Sequence, residues 1–400
     1  MAVIIGIDPH KGSHTAVAVG AAEEPLGKIR IRACPAQAEQ LVAWAAGWPE
    51  RTWAVEGAPG LGQLLGQQLV AAGERVLDVQ PKLAARVRLL HTGNTGKSDP
   101  NDALSVAVAA LRSTANQEVT ADNHATVLKV WAKRHRDLSR AYNQVACRLH
   151  AVLCELVPGG VPEEITARRA EKILAQTRPA GAAGQARGEL AAELLADLRH
   201  LDGQRRAVKK KLAAAVKASG TTMTSVFGVG PVIAATVIGD VVTVARFPTR
   251  DHFAAYNGTA PVEVSSGEKK IYRLSLRGNR RLNHAIHMAA ITQISHAHSD
   301  GRAYYDRKIA EGKTHKEALR CLKRRISNAI YARLRADARA AGLGGQPGNL
   351  SSSRVAGSHP EHRLFGQATP RPRNQPTSRA HTAHATGHVQ GPVRKTRRIT

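Results

Sequence analysis

Val3-Ile4-Ile5-Gly6-Ile7-Asp8 opens the chain with a β-branched run that stops on a carboxylate. Such a run reads as a buried strand, and His14 to Gly20, which alternates small and branched residues, reads as its hairpin partner. A carboxylate at the end of an apolar strand is costly to desolvate alone, so Asp8 needs a partner. Two other segments supply acids at element ends. Trp53-Ala54-Val55-Glu56-Gly57 is a second strand that stops on an acid, and Lys97-Ser98-Asp99-Pro100-Asn101-Asp102-Ala103 reads as a helix start with proline in the first turn. Whether Ser98 or Asp99 caps that helix, Asp99 and Asp102 are three apart and share a side of the first turn.

Each acid taken singly is explained as an N-cap, a helix-dipole partner or a surface strand end. Asp8, Glu56, Asp99 and Asp102 converging on one point would instead repel one another unless a cation neutralised them. Magnesium is the expected ion. Two hard divalent ions held roughly 4 Å apart by carboxylates clamp the attacking and leaving oxygens of a phosphodiester.

Working outward, strands are expected near 3–8, 14–20 and 26–32, then a helix from Ala36 to Ala46, the Glu56 strand, a helix from Leu61 to Ala71, a strand from Arg75 to Val79 and a helix from Lys82 to Leu90. Three strands followed by alternating helices and strands is the order of an RNase H-like fold, an α/β class. The Gly-rich loop from His91 to Gly96 can flex, so Asp99 and Asp102 reach their working position only with substrate bound.

From His124 the character changes. Leu138, Tyr142, Val145, Leu149, Val152 and Leu156 alternate spacings of four and three, and Leu190, Leu194, Leu198, Leu201, Arg205, Val208 and Leu212 repeat them. A long helical hairpin results, either a plain packing element or a coiled coil. Its basic residues, among them Lys129, Arg134, Arg140, Arg206 and Lys210, form a solvated face or touch a nucleic-acid backbone.

Val226 to Ala235 contains Gly228-Val229-Gly230, the turn that helix-hairpin-helix modules use to hold a phosphate, and equally a plain interhelical turn. There follow Arg246-Phe247-Pro248, Ala255-Tyr256-Asn257-Gly258, Ala260-Pro261, Ser265-Ser266-Gly267, a basic hairpin from Glu268 to Leu276, and Gly278-Asn279-Arg280-Arg281-Leu282. Lys269, Lys270, Arg273, Arg277, Arg280 and Arg281 set dense positive charge near two serines. A serine hydroxyl is a poor nucleophile until a base or metal activates it, and the phosphate it attacks must be neutralised.

These two series, in this order, resemble the DEDD, RuvC-like domain and the C-terminal transposase domain of one class of bacterial insertion-sequence transposases. The class includes the Piv-type DNA invertases and the bridge-RNA-guided recombinases. The resemblance covers roughly residues 2 to 335. It implies that the first and fourth strands are neighbours, which brings Asp8 beside Glu56, and that the hairpin is a dimerising coiled-coil insertion. It implies that Ser266, the serine before the glycine, is the nucleophile on DNA, with Ser265 as the alternative. It further implies acids of one subunit meeting the serine of another, phosphoserine-linked intermediates, a tetramer on donor and target DNA, and a structured guide RNA. Leu276 and Asn283 depart from the pattern, standing where Lys and Arg are expected. A RuvC-like junction nuclease that uses water and metal, and a non-catalytic nucleic-acid-binding relative, are the rival readings.

Composition agrees with a polyanion partner. With 58 Lys plus Arg against 31 Asp plus Glu, the net charge is +27. The hydrophobic share of 42% supports several cores, placed as domains at 1–115, 120–218, 219–338 and a basic tail at 342–400. The tail is disordered by composition, and its histidines lack the acid or cysteine company of a metal site. Cys34, Cys147, Cys154 and Cys321 have no metal spacing, and Cys147 and Cys154, a heptad apart, read as core; a reducing bacterial cytoplasm, at the nucleoid, is expected. No apolar run approaches the roughly 20 residues of a membrane span.

Overall fold

The strand and helix periods of the first 118 residues close into one mixed sheet with helices on both faces. The computed structural model describes residues 3–92, 98–113, 116–266, 269–274 and 278–342. The elements there are β1 (Val3–Pro9), β2 (Ser13–Val19), β3 (Pro25–Arg32), α1 (Gln37–Trp44), β4 (Arg51–Glu56), α2 (Gln63–Ala71), β5 (Val76–Val79), α3 (Pro81–Thr92), α4 (Asp99–Arg112) and β6 (Gln117–Glu118). The strand order is β3-β2-β1-β4-β5-β6. β1, β2 and β3 form an antiparallel meander, while β4 runs parallel to β1 and β5 parallel to β4. The first and fourth strands are thus neighbours, as an RNase H-like order requires.

Strand alternation assigns the two faces. Ile5, Ile7, Ala16, Ala18, Trp53 and Val55 pack against Leu41 of α1 and Leu65 and Leu69 of α2. Ile4, Val17, Val19 and Ala54 pack against Ala84 and Val87 of α3 and Ala103 and Ala107 of α4. Gly6 falls on the second face, directly beneath α4. A Cβ built there would lie 2.5 Å from Ala107 N and 2.9 Å from Ala107 Cβ. The helix that carries Asp99 and Asp102 sits this low only because residue 6 has no side chain. Gly6→Ala is expected to cost about 3 kcal/mol in a denaturant titration, because backbone must move to relieve the overlap.

The far end of the sheet is tied by Glu74, which accepts from Arg51 Nε at 2.9 Å and from the indole of the fully buried Trp53 at 2.6 Å. Burial pushes the Glu74 carboxyl up, but the Arg51 and Trp53 bonds outweigh it and hold it below its ordinary value. A carboxyl depressed in the fold adds stability that is present above the unfolded value, about 4.3, and is lost as pH falls through the folded one. The melting temperature is therefore expected to drop below about pH 4.3, and Glu74→Ala to cost about 3 kcal/mol and flatten that acid limb.

The hairpin helices are α5 (His124–Leu156) and, after α6 (Ala167–Gln176), α7 (Gly181–Ala218). Leu149 and Leu153 meet Ala191, Leu195 and Leu198 at the tip, in a small core shared with α6. At the seam, the Arg205 guanidinium lies 4.3 Å over the Tyr142 ring, which accounts for an arginine in an apolar series. Cys147 and Cys154 are exposed, contrary to their reading as core. Each stands two residues before a seam position, roughly 200° round the helix from Leu149 and Leu156. The base of the hairpin merges with the C-terminal helices. Leu128, Leu138, Val208, Leu212 and Val216 share one core with α8 (Pro231–Val241), α9 (Arg250–Asn257), α10 (Arg280–Ser295), α11 (Asp300–Ala310) and α12 (His315–Ala340).

Two strands, β7 (Pro261–Ser266) and β8 (Lys269–Leu274), form an antiparallel hairpin between α9 and α10. The expected helix-hairpin-helix is not formed as such. A single 3-10 turn, Met223–Ser225, precedes Gly228, whose φ of 81° and close approach to Ala289 of α10 make the glycine a packing requirement. The tail from residue 343, and Gly93 to Lys97 of the loop before Asp99, lie outside the described residues. No helix among the described residues is long and apolar enough to cross a membrane.

Candidate active site

The acids gather at the ends of β1 and β4, on the face covered by α4. Asp8 shares its parity with Ile4 and Gly6, and Glu56 with Ala54, so both strands direct their acids to that face. Ile7 pairs with Val55 in parallel register, and the next step along brings Asp8 beside Glu56. Ser98 takes the extended N-cap conformation, Pro100 occupies the first turn, and Asp99 opens α4.

Asp8 is 7% exposed, and its Oδ2 lies 3.5 Å from His10 Nδ1. One ligand atom from each of Asp8, His10 and Asp99 falls within 4.8 Å of the others. Arg30 Nη2 lies 3.6 Å from Asp99 Oδ2. Beside them a cleft of about 510 Å³ is bounded by β3, Thr15 and the first turn of α4. Two carboxylates and an imidazole on one spot form a donor set that fits a divalent cation.

Not all four expected acids join this group. Asp102, 8% exposed, is ion-paired with Arg88 of α3. A buried carboxylate takes the nearest cation, and here that is a neighbouring helix's guanidinium. Glu56 is half-buried at the adjacent strand end and stands outside the three-residue group. His10 is the residue that motif reading passed over; its one signal was a spacing of two from Asp8.

In the C-terminal half, Ser266 is the last residue of β7 and pairs with Lys269, and Ser265 with Lys270. Arg273 and Arg280 are exposed, and Arg277 lies outside the described residues. Arg281 is committed to Asp240, its Nε donating to Oδ2 at 2.9 Å. The motif residues flanking the hairpin clamp its two ends. Gly258 ends α9 at φ 72°, Gly278 packs against its backbone, and Asn279 donates its N–H to Tyr256 O at 2.7 Å while its side chain caps α10. Asn283, where Arg was expected, donates to the carbonyls of Asn257 and Gly258 and accepts from Lys323. It has become a structural clamp.

Two family models match these two halves. Residues 5–158 match a transposase domain of the DEDD, IS110 type, and residues 220–306 match the transposase domain of the IS116/IS110/IS902 family. The two halves are thus similar, in the same order, to the two domains of IS110/IS116-type insertion-element transposases. The chain is 27% identical over 377 residues to the 44.8 kDa protein of insertion element IS116 from Streptomyces clavuligerus, covering 83% of this chain and 94% of that protein. It is 26% identical over 385 residues to the 42 kDa protein of IS900 from Mycobacterium paratuberculosis, covering 82% and 95%. A stretch of 145 residues is 37% identical to the 43.6 kDa protein of IS110 from Streptomyces coelicolor, 36% of each chain. Among solved structures, T. thermophilus RuvC in complex with Holliday junction substrate aligns over 28% of this chain and 94% of that chain, at 21% identity and a TM-score of 0.24.

Proposed function

We propose that this chain is a transposase that cuts and rejoins strands of donor and target DNA through a serine ester, with a structured RNA setting the target. The observation that supports this most is the meeting of Asp8 and Asp99, from opposite ends of the sheet domain's sequence, at one cleft in a chain with both transposase domains. Asp8 and Asp99, with His10 beside them, would hold a divalent ion, magnesium by the preference of the two carboxylates, which supplies positive charge to a phosphodiester and favours loss of a proton from a hydroxyl. Glu56 is the further acid at the same sheet end. Asp102 is a positioning residue, fixing the start of α4 through Arg88.

The Ser266 oxygen bonds to phosphorus as the phosphorus–oxygen bond to the departing strand breaks. The serine proton passes to a base, and the departing oxygen takes one up. Attack by another strand's hydroxyl reverses the step and frees the serine, so rejoining needs no nucleotide cofactor. Lys269, Lys270, Arg273, Arg277 and Arg280 offset phosphate charge around the ester. Exchange between two DNAs calls for an oligomer, a dimer assembling to a tetramer. The test is a suicide DNA substrate followed by denaturing electrophoresis. A covalent protein–DNA species is expected; cleavage without one would overturn the serine and favour hydrolysis by water. That rival draws support from a metal-ligand group assembled within a single chain.

A further inference from the structure

We propose that the edge strand β3 is the track by which the DNA strand to be cut reaches the acids, with Lys28, Arg30 and Arg32 on successive phosphates and the Thr15 hydroxyl seating the phosphate beside Asp8. The inference rests on the reading of this site as the place of DNA cleavage.

One row across the sheet carries it. Asp8 pairs with Thr15, and Thr15 with Arg30, so Glu56, Asp8, Thr15 and Arg30 lie abreast on the same face. Along β3, Ile29 and Ile31 turn to the opposite core, which directs Lys28, Arg30 and Arg32 to the side of the acids. Their spacing of two residues is roughly 6.8 Å, close to the interval between phosphates of an extended strand. Lys28 and Arg32 are exposed and have no carboxylate partner among the described residues. Arg30, its side chain 67% exposed, leans on Asp99 at 3.6 Å.

The second observation is Thr15. It is 3% exposed, it bounds the cleft between β3 and α4, and its Oγ1 has no hydrogen-bond partner. A buried hydroxyl left unpaired is costly in the free protein and calls for a bound acceptor. Cations on an edge strand also discourage edge-to-edge pairing. That role needs only charge, and it explains neither the alignment with Asp8 nor the orphaned hydroxyl.

The experiment uses the full chain in EDTA, so that binding is read without cleavage, with a fluorescein-labelled DNA duplex over a range of salt. The double substitution Lys28→Ala, Arg32→Ala is expected to lower the slope of log affinity against log salt by about 2. Thr15→Val, of equal shape, is expected to melt at the same or a higher temperature and to bind the duplex about tenfold more weakly. An unchanged slope, or a loss seen only with an RNA duplex of the same sequence, would overturn the track. An unchanged slope in a protein that cuts DNA removes the track alone; a lowered slope in one that never cuts removes the reading of the site alone.

Discussion

Ser266→Ala is expected to abolish the covalent protein–DNA species and strand joining, lowering their rate by about 10⁴-fold or more, while duplex affinity stays as it is. The substitution deletes one oxygen at the end of β7, where the backbone pairing with Lys269 does not depend on the side chain. Without that oxygen no ester forms, and the energy of the broken phosphodiester is lost to water instead of being kept for rejoining. Ser265→Ala is the matched control and should keep the adduct. If the adduct persists in Ser266→Ala and vanishes in Ser265→Ala, the neighbouring serine is the nucleophile. If both variants cut as wild type does and neither ever shows an adduct, the enzyme hydrolyses.

Asp8→Asn is expected to remove cleavage by a factor on the order of 10³, without loss of fold. The amide fills the same space and carries no charge, so a position only 7% exposed is easier to bury after the change. In metal-free buffer the variant should melt no lower than wild type. The decisive reading is ligand linkage: millimolar magnesium or manganese should raise the melting temperature of the wild type and leave Asp8→Asn unmoved. Asp99→Asn should behave likewise, because its oxygen belongs to the same group. Asp102→Asn is predicted to do the reverse. It leaves Arg88 facing an amide, costs about 3 kcal/mol of stability, and keeps the metal-dependent shift. A metal shift surviving in Asp8→Asn would end the assignment of that carboxylate as a ligand.

Much of this is legible in the order of residues alone. The β-branched run to Asp8, the strand to Glu56 and the Ser98-Asp99-Pro100 helix start are local signals, set by side-chain branching, charge at element ends and proline in a first turn. The repeats of α5 and α7 specify a helical hairpin, and the ordered C-terminal motifs match a transposase domain that the family comparison also finds. The strand and helix-start signals depend on residues within about two turns of one another, and the repeats and the motif order on longer but still sequential spacing.

Features beyond that range needed the tertiary structure. The sequence presents four equivalent acids; packing separates them, because Arg88 reaches Asp102 from another helix while Asp8 and Asp99 close on His10. Sheet order places β3 and its cations at an edge, which reading 26–32 as a strand does not show, and only strand register sets Arg30, Thr15 and Asp8 abreast. Periodicity says which face of an element is apolar, but the partner of that face, and the partner of each charge, depends on chain segments far apart in sequence brought together by closure of the sheet. Amino-acid order determined the elements and the order of the motifs, and the fold decided which carboxylates gather with His10 and which is taken by Arg88.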